Sequence, residues 1–472
     1  MSPLHPAASP DGASLAALGS APQTLLLGTA AVCVLATLVW LFARSTGAGT
    51  ALVLASAVQT GLTGPAPGLV WVGGVGITWP DVLTVAALAV GAGRLAGLRA
   101  HPAGPGRLTP GGLPALTALL LLTLCVLLVG IGQFGLKPAG LEVRSQFLAV
   151  FGFALYIATA PRSPDPMRAV VLYWPIAAAV LAAGALAWWA AHGIGSSSTH
   201  LLMDGRLVES RALDAPTALV VGQAALVLLC APRYGPRARM CSVPLLLVVL
   251  VLQHRTVWVC TALMLLGWLA VRRASAGRRL AAAGLAAAAA GALTVAYGLG
   301  VLGDTGTSLS VSAGDDQTLV WRAAGWSSLI DTLHGPLDWL FGFPFGAGYA
   351  REISGMLVEV SPHNYFLQVL LRLGAVGLLV LLAVYAVSLR RAGSRSGSGL
   401  MLALLATGQL VFCLTYQLPM EQGLLIGLLV HRSRVPLDRS GRPFADGPRT
   451  PAPRAAADGN RLPAPAGKGP HR

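Results

Sequence analysis

The sequence predicts an all-α, polytopic membrane protein with about 12 (11–13) transmembrane helices and one large extracytoplasmic loop. Three observations predict it. Hydrophobic residues fill 55% of 472 positions and charged residues only 11%, too few to cover a soluble surface. The apolar residues form Leu/Ala/Val/Gly runs of helical length, and a helix satisfies its own backbone hydrogen bonds in lipid. Arginine clusters punctuate the runs, as the positive-inside bias requires of cytoplasmic turns. The net charge of +15 therefore reads as a topology signal; no basic domain with interleaved aromatics points to nucleic acid.

In chain order, apolar runs lie near 24–43, 48–63, 81–97, 115–135, 147–161, 168–191, 213–231, 241–254, 256–271, 280–303, 363–388, 399–417 and 420–430. Those at 48–63, 147–161, 241–254 and 420–430 are shorter than a full crossing needs. The first twenty-odd residues carry no Lys or Arg before the first run, so no cleavable signal is read and the first helix is expected to stay as an anchor. The six cysteines fall in or beside apolar runs without CxxC or CxxH spacing, which argues against disulfides and zinc.

Arg233, Arg237 and Arg239, then Arg272, Arg273, Arg278 and Arg279, then Arg390, Arg391 and Arg395, and finally the tail mark successive cytoplasmic turns. The connections 192–212, 253–256, 304–362 and 418–421 must then face outward. The organisation that follows is a disordered 1–23, helices over 24–303, the large loop 304–362, C-terminal helices over 363–431 and a disordered basic tail 432–472. The loop is net acidic, and its aromatics, Trp321, Trp326, Trp339, Phe341, Phe343, Phe345 and Tyr349, give it area to pack onto the membrane domain.

Charged groups at outward helix ends are the candidates for chemistry, because they are costly near lipid. Gln253-His254-Arg255-Thr256 sits in a break of a few residues, where Arg255 cannot serve the positive-inside rule. Its guanidinium either snorkels to headgroups or binds an anion bidentately. Arg206 and Arg211 lie in the outward loop 192–212 as ordinary loop cations or as further anion ligands. Ser361-Pro362-His363-Asn364-Tyr365 stands where the large loop re-enters the membrane; Pro362 presets a helix start and His363 can exchange a proton near neutral pH. Gly374 and Gly377, further along, suit close helix approach.

Together these segments resemble the O-antigen ligase/polymerase family of bacterial membrane glycosyltransferases. The resemblance rests on His363-Asn364 followed by Leu373-Gly374-x-x-Gly377-Leu378, on Trp321-Arg322 to Trp326 and Gly346-x-Gly348 in the preceding loop, and on Gln253-His254-Arg255-Thr256-Val257-Trp258 at a helix end. It covers roughly 250–390 specifically and is architectural elsewhere. It implies polymerisation or ligation of undecaprenyl-diphosphate-linked oligosaccharide at the outer face of the plasma membrane, onto a glycan or other hydroxyl acceptor, without cofactor or metal. His363 and Arg255 are then the expected catalytic residues, with Arg206, Arg211, Gln253, His254, Arg322, Trp326, Asn364 and Tyr365 around the diphosphate or glycan. The sequence departs from the family pattern at Arg372, where many members carry an acidic residue, so no role is transferred to it. A secondary transporter or flippase for the same lipid is the alternative, though its polar groups would be expected near the midplane. A metal-dependent transferase using Asp315-Asp316 is a second rival.

Overall fold

In the computed structural model, each predicted apolar run except 280–303, which lies outside the described residues, coincides with a helix. The structure describes residues 21–72, 74–100, 111–161, 166–194, 198–201, 207–231, 233–271, 317–353, 356–392 and 397–434. Helices α1 (Ala21–Arg44), α2 (Thr46–Thr63), α3 (Trp79–Ala100) and α4 (Leu113–Phe134) come first, with the antiparallel hairpin β1 (Val70–Val72) and β2 (Val75–Ile77) between α2 and α3. Next come α5 (Leu136–Val143), a π-turn (Arg144–Leu148), α6 (Ala149–Ala158), α7 (Pro166–His192) and a second hairpin, β3 (Ser198–Leu201) with β4 (Leu207–Ser210). Then follow α8 (Ala215–Cys230), α9 (Pro236–Met240), α10 (Ser242–Val251) and α11 (Arg255–Val271). The predicted loop contains α12 (Gln317–Ile330), α13 (Pro336–Phe341) and the hairpin β5 (Arg351–Ile353) with β6 (Met356–Val358). Last are α14 (Tyr365–Ala392), α15 (Gly397–Phe412) and α16 (Gln422–Ser433). Local signals start several of them: Ser45 Oγ accepts from Ala48 N at 3.1 Å, and Asp214 Oδ1 from Thr217 N at 3.0 Å.

Among the described residues, five helices are long and apolar enough to cross a membrane: Trp79–Leu98, Leu113–Phe134, Leu136–Ala158, Pro166–His192 and Tyr365–Ala392. The third corrects the short run at 147–161. Lys137, Glu142 and Arg144 interrupt its apolar pattern, yet the chain is helical from Leu136 onward. Two of those charges are neutralised in place: Arg144 pairs with Asp81 at 3.4 Å and Glu142 with Arg372. The C-terminal boundary also moves. Helix α16 runs past residue 432, and buried Arg434 donates to the Ala158 carbonyl.

Every residue of α6 is buried, so this helix is the centre of the bundle. It lies against α16 through glycines: a Cβ at Gly423 would stand 2.2 Å from Val150 O, and one at Gly427 2.4 Å from Ala154 O. Beside it, Gln223 and Gln422 exchange side-chain amide hydrogen bonds at 2.8 and 3.0 Å, and Gln409 Nε2 donates to Gln422 at 3.0 Å. Fully paired amides of this kind tie helices together where no water is available.

The bundle has two chemically distinct ends. At one, Arg94 donates to Phe42 O at 3.0 Å, Gly112 N to Ser433 Oγ at 3.2 Å, and Tyr234 OH to Val171 O at 2.5 Å; the clusters Arg237/Arg239 and Arg390/Arg391 end helices there. The opposite end carries residues 76–81, 137–146, 211–213, 253–256, 322–326 and 413–417.

Gly374 admits the close approach expected of it, to the backbone of α13. It also breaks its own helix, α14, with φ 63°, and the freed Leu371 carbonyl accepts Phe343 N at 2.7 Å from the loop segment after α13. A Cβ on Gly374 would sit 2.0 Å from Leu340 O. Gly374→Ala is therefore expected to cost more than about 2 kcal/mol, seen as a lower thermal midpoint in detergent by scanning fluorimetry. An unchanged midpoint would mean that the break is not sterically imposed.

The loop aromatics divide. Trp326, Phe343 and Tyr349 join Leu329, Leu333, Leu367 and Leu371 in a satellite core over α14, and Phe345 packs on Phe147 with ring centroids 5.0 Å apart. Trp321, Trp339 and Phe341 are exposed, contrary to the expectation that the aromatics pack inward.

Candidate active site

The turn Cys413–Tyr416 is the hub of the arginine-lined end opposite the basic clusters. Thr415 Oγ1 meets Thr256 Oγ1 at 2.7 Å, next to Arg255, while Thr415 O accepts Arg322 Nη1 at 3.2 Å. The Arg322 guanidinium lies 5.2 Å from the centre of the Tyr416 ring, and the His363 imidazole stands edge-on to the same ring at 6.4 Å. Tyr416 in turn stacks on Phe412 at 5.0 Å, which fixes its plane. One aromatic ring thus aligns a guanidinium and an imidazole that come from either end of the loop.

His363 is held by its neighbours on both sides. Trp326 Nε1 donates to Pro362 O at 2.6 Å, and Asn364 Oδ1 caps α14 by accepting Leu367 N at 3.0 Å. Its backbone has φ 49°. Among the described residues the only other non-glycine with positive φ is Gln253, at 58°. Such strain costs of order 1–3 kcal/mol and concentrates at functional positions. Here both strained residues flank the same end of the bundle.

The 253–256 break is braced rather than open. Arg211 Nη1 donates to Gln253 O at 2.6 Å, and the buried His254 ring meets Leu213 O at 2.9 Å through Nε2. Gln253 and His254 therefore hold the turn that presents half-buried Arg255, and their side chains are buried. Tyr365 opens α14 directly after Asn364. It is fully buried, with its hydroxyl donating to Gln146 O at 2.9 Å and its ring 5.9 Å from Phe147, because the first turn of α14 directs it into the core. Arg206 and Asp315-Asp316 lie outside the described residues.

Burial, with Arg322 and then Arg351 nearby, lowers the His363 pKa from its ordinary value, so the imidazole is neutral at pH 7 and free to accept a proton. The buried Arg351 donates to Val360 O at 2.6 Å and Tyr349 O at 3.1 Å, tying the β5–β6 hairpin to the approach to His363. A reaction that used His363 as its base would slow as pH drops through the His363 pKa and run fully above it. Arg322→Gln removes one neighbouring positive charge and is expected to move the acid limb of the turnover profile to higher pH. A pH–rate profile whose acid limb stays in place in that variant would contradict the electrostatic coupling.

The arrangement is a proton acceptor beside several guanidiniums, at the mouth of a helical bundle. Residues 240–382 match the family model described as O-antigen ligase. No curated protein matches the chain. The matched segment contains Arg255, Arg322, Trp326, Arg351 and His363, whereas Arg211 and the Thr415–Tyr416 hub lie outside it. The hub went unread in the sequence because it ends an apolar run. Thr415-Tyr416-Gln417 interrupting that run is the signal that could have exposed it.

Proposed function

We propose that this chain is a membrane glycosyltransferase that polymerises or ligates oligosaccharide carried on undecaprenyl diphosphate. It acts at the outer face of the plasma membrane, through a bundle that crosses it about a dozen times. The observation that carries this reading is the joint placement of His363 and Arg322 on the Tyr416 ring. The basic clusters collected at the opposite end support an outward-facing site.

In the reaction, neutral His363 accepts the proton of the acceptor hydroxyl as its oxygen bonds to the anomeric carbon. The bond from that carbon to the phosphate oxygen breaks, and its electron pair leaves with the undecaprenyl diphosphate. Arg255, Arg322 and Arg211 offset the charge that gathers there. Diphosphate is a good leaving group and guanidiniums can bind it bidentately, so transfer is expected to persist in chelator.

Glycan analysis of a deletion strain tests the proposal. Accumulated single repeat units would identify a polymerase, and free lipid-linked polymer a ligase. Complementation by Arg255→Ala is expected to fail with the protein present in the membrane. Wild-type glycan length and amount with that variant would refute the assignment.

A further inference from the structure

We infer that α13 and the turn after it form a re-entrant wedge immersed in the outer-leaflet hydrocarbon, so that this part of the loop touches lipid acyl chains. The inference rests on the membrane-spanning bundle and does not depend on the transferase reading. Depth is the first observation. The turn is bonded to α14 at its break, through Phe343 N on Leu371 O, and the Leu340 carbonyl covers Gly374. Gly374 precedes Arg390 by about 16 residues, or about 24 Å of helix. With Arg390 and Arg391 at the inner boundary, a hydrocarbon core of about 30 Å extends beyond Gly374, and any tilt sets it deeper.

The second observation is the surface α13 presents. Leu337, Trp339, Leu340 and Phe341 are exposed, while the polar groups of the helix are satisfied locally. Asp338 Oδ2 accepts Gly335 N at 3.0 Å, and Trp339 Nε1 donates to Leu333 O at 3.1 Å. Its turns are closed by Trp339 N on Gly335 O at 3.1 Å and Gly342 N on Asp338 O at 2.8 Å. Internal bonds of this kind are what backbone at membrane depth needs. The third observation is continuity. The segment runs between α14 and α4, where Phe345 O would meet a Cβ on Gly130 at 2.2 Å, and both helices carry exposed apolar side chains such as Leu379 and Leu128. Lipid covers those helices and extends over the wedge.

Photo-crosslinking of the full chain tests this. Benzoylphenylalanine is placed singly at Leu337, Leu340 or Phe341, with exposed His334 and Glu352 as controls, in phosphatidylethanolamine/phosphatidylglycerol vesicles. Intact-mass analysis is expected to show lipid adducts at least tenfold more abundant at the three wedge positions than at the controls. Equal yields at all five positions, or crosslinks to a second copy of the chain instead of lipid, would overturn the inference. Because all five side chains are exposed, folding is preserved, and the readout stays the same in a His363→Ala background, so it is independent of activity.

Discussion

Replacing His363 by alanine is expected to lower glycan transfer by about 10²–10⁴-fold, the range typical of losing a positioned general base. The protein should still accumulate in the membrane, because among the described residues the half-buried ring makes no hydrogen bond that anchors another helix; Trp326 and Asn364 hold the adjoining backbone through Pro362 O and Leu367 N. The φ of 49° complicates alanine, since histidine and asparagine adopt that region more readily than alanine does. Asparagine tolerates that region and cannot act as a base, so His363→Asn separates the two effects. It should restore the thermal midpoint lost in the alanine variant and leave transfer abolished. Transfer assays and scanning fluorimetry on the same preparations check this.

The second large effect concerns Glu142 and Arg372, which lie far apart in the chain and meet in the interior. Arg372 is almost fully buried, donates through Nε to Glu142 and through Nη2 to Gly348 O, and lies 4.3 Å from the Tyr349 ring centre. Glu142 also accepts Gly346 N at 2.7 Å. The pair thus pins the loop segment 346–349 to α5 and α14. Removing either partner leaves a buried charge, and Glu142→Ala or Arg372→Ala is expected to destabilise by about 3–5 kcal/mol. Size-exclusion profiles of detergent extracts should show loss of the monodisperse peak. Glu142→Leu with Arg372→Met should recover much of it, since no charge remains stranded. Exchanging the two charges should recover less, because a glutamate at 372 would face the Gly348 carbonyl instead of donating to it. Single variants as stable as wild type would show that the pair does not hold the loop.

The helices were legible because lipid imposes one simple rule, long apolar runs, and nearly every run became a helix. The rule failed at Leu136–Val143, where Lys137, Glu142 and Arg144 read as a connection. Their partners, Asp81 and Arg372, are distant in sequence, so hydropathy cannot anticipate their neutralisation. Arg255 and His363 stood out as costly polar groups at outward ends, whereas Arg322 was reached only through the family resemblance. Tyr365 was included for its position beside Asn364, but helix phase, not adjacency, decides direction, and the first turn of α14 buries it. Thr415 and Tyr416 were hidden at the end of an apolar run, although their contacts join the three elements of the site. Gly374 was legible as a site of close helix approach, but not as the break in α14 that its φ of 63° shows.

The central claim is that this end of the bundle breaks a glycosyl–phosphate bond. The direct measurement is a reconstituted assay in proteoliposomes with undecaprenyl-diphosphate oligosaccharide and acceptor glycan, counting undecaprenyl diphosphate released and acceptor extended. The account predicts equal amounts of the two products with wild type and neither with His363→Asn. Movement of intact lipid-linked oligosaccharide across the bilayer with no diphosphate released, or undiminished release with His363→Asn, would contradict it.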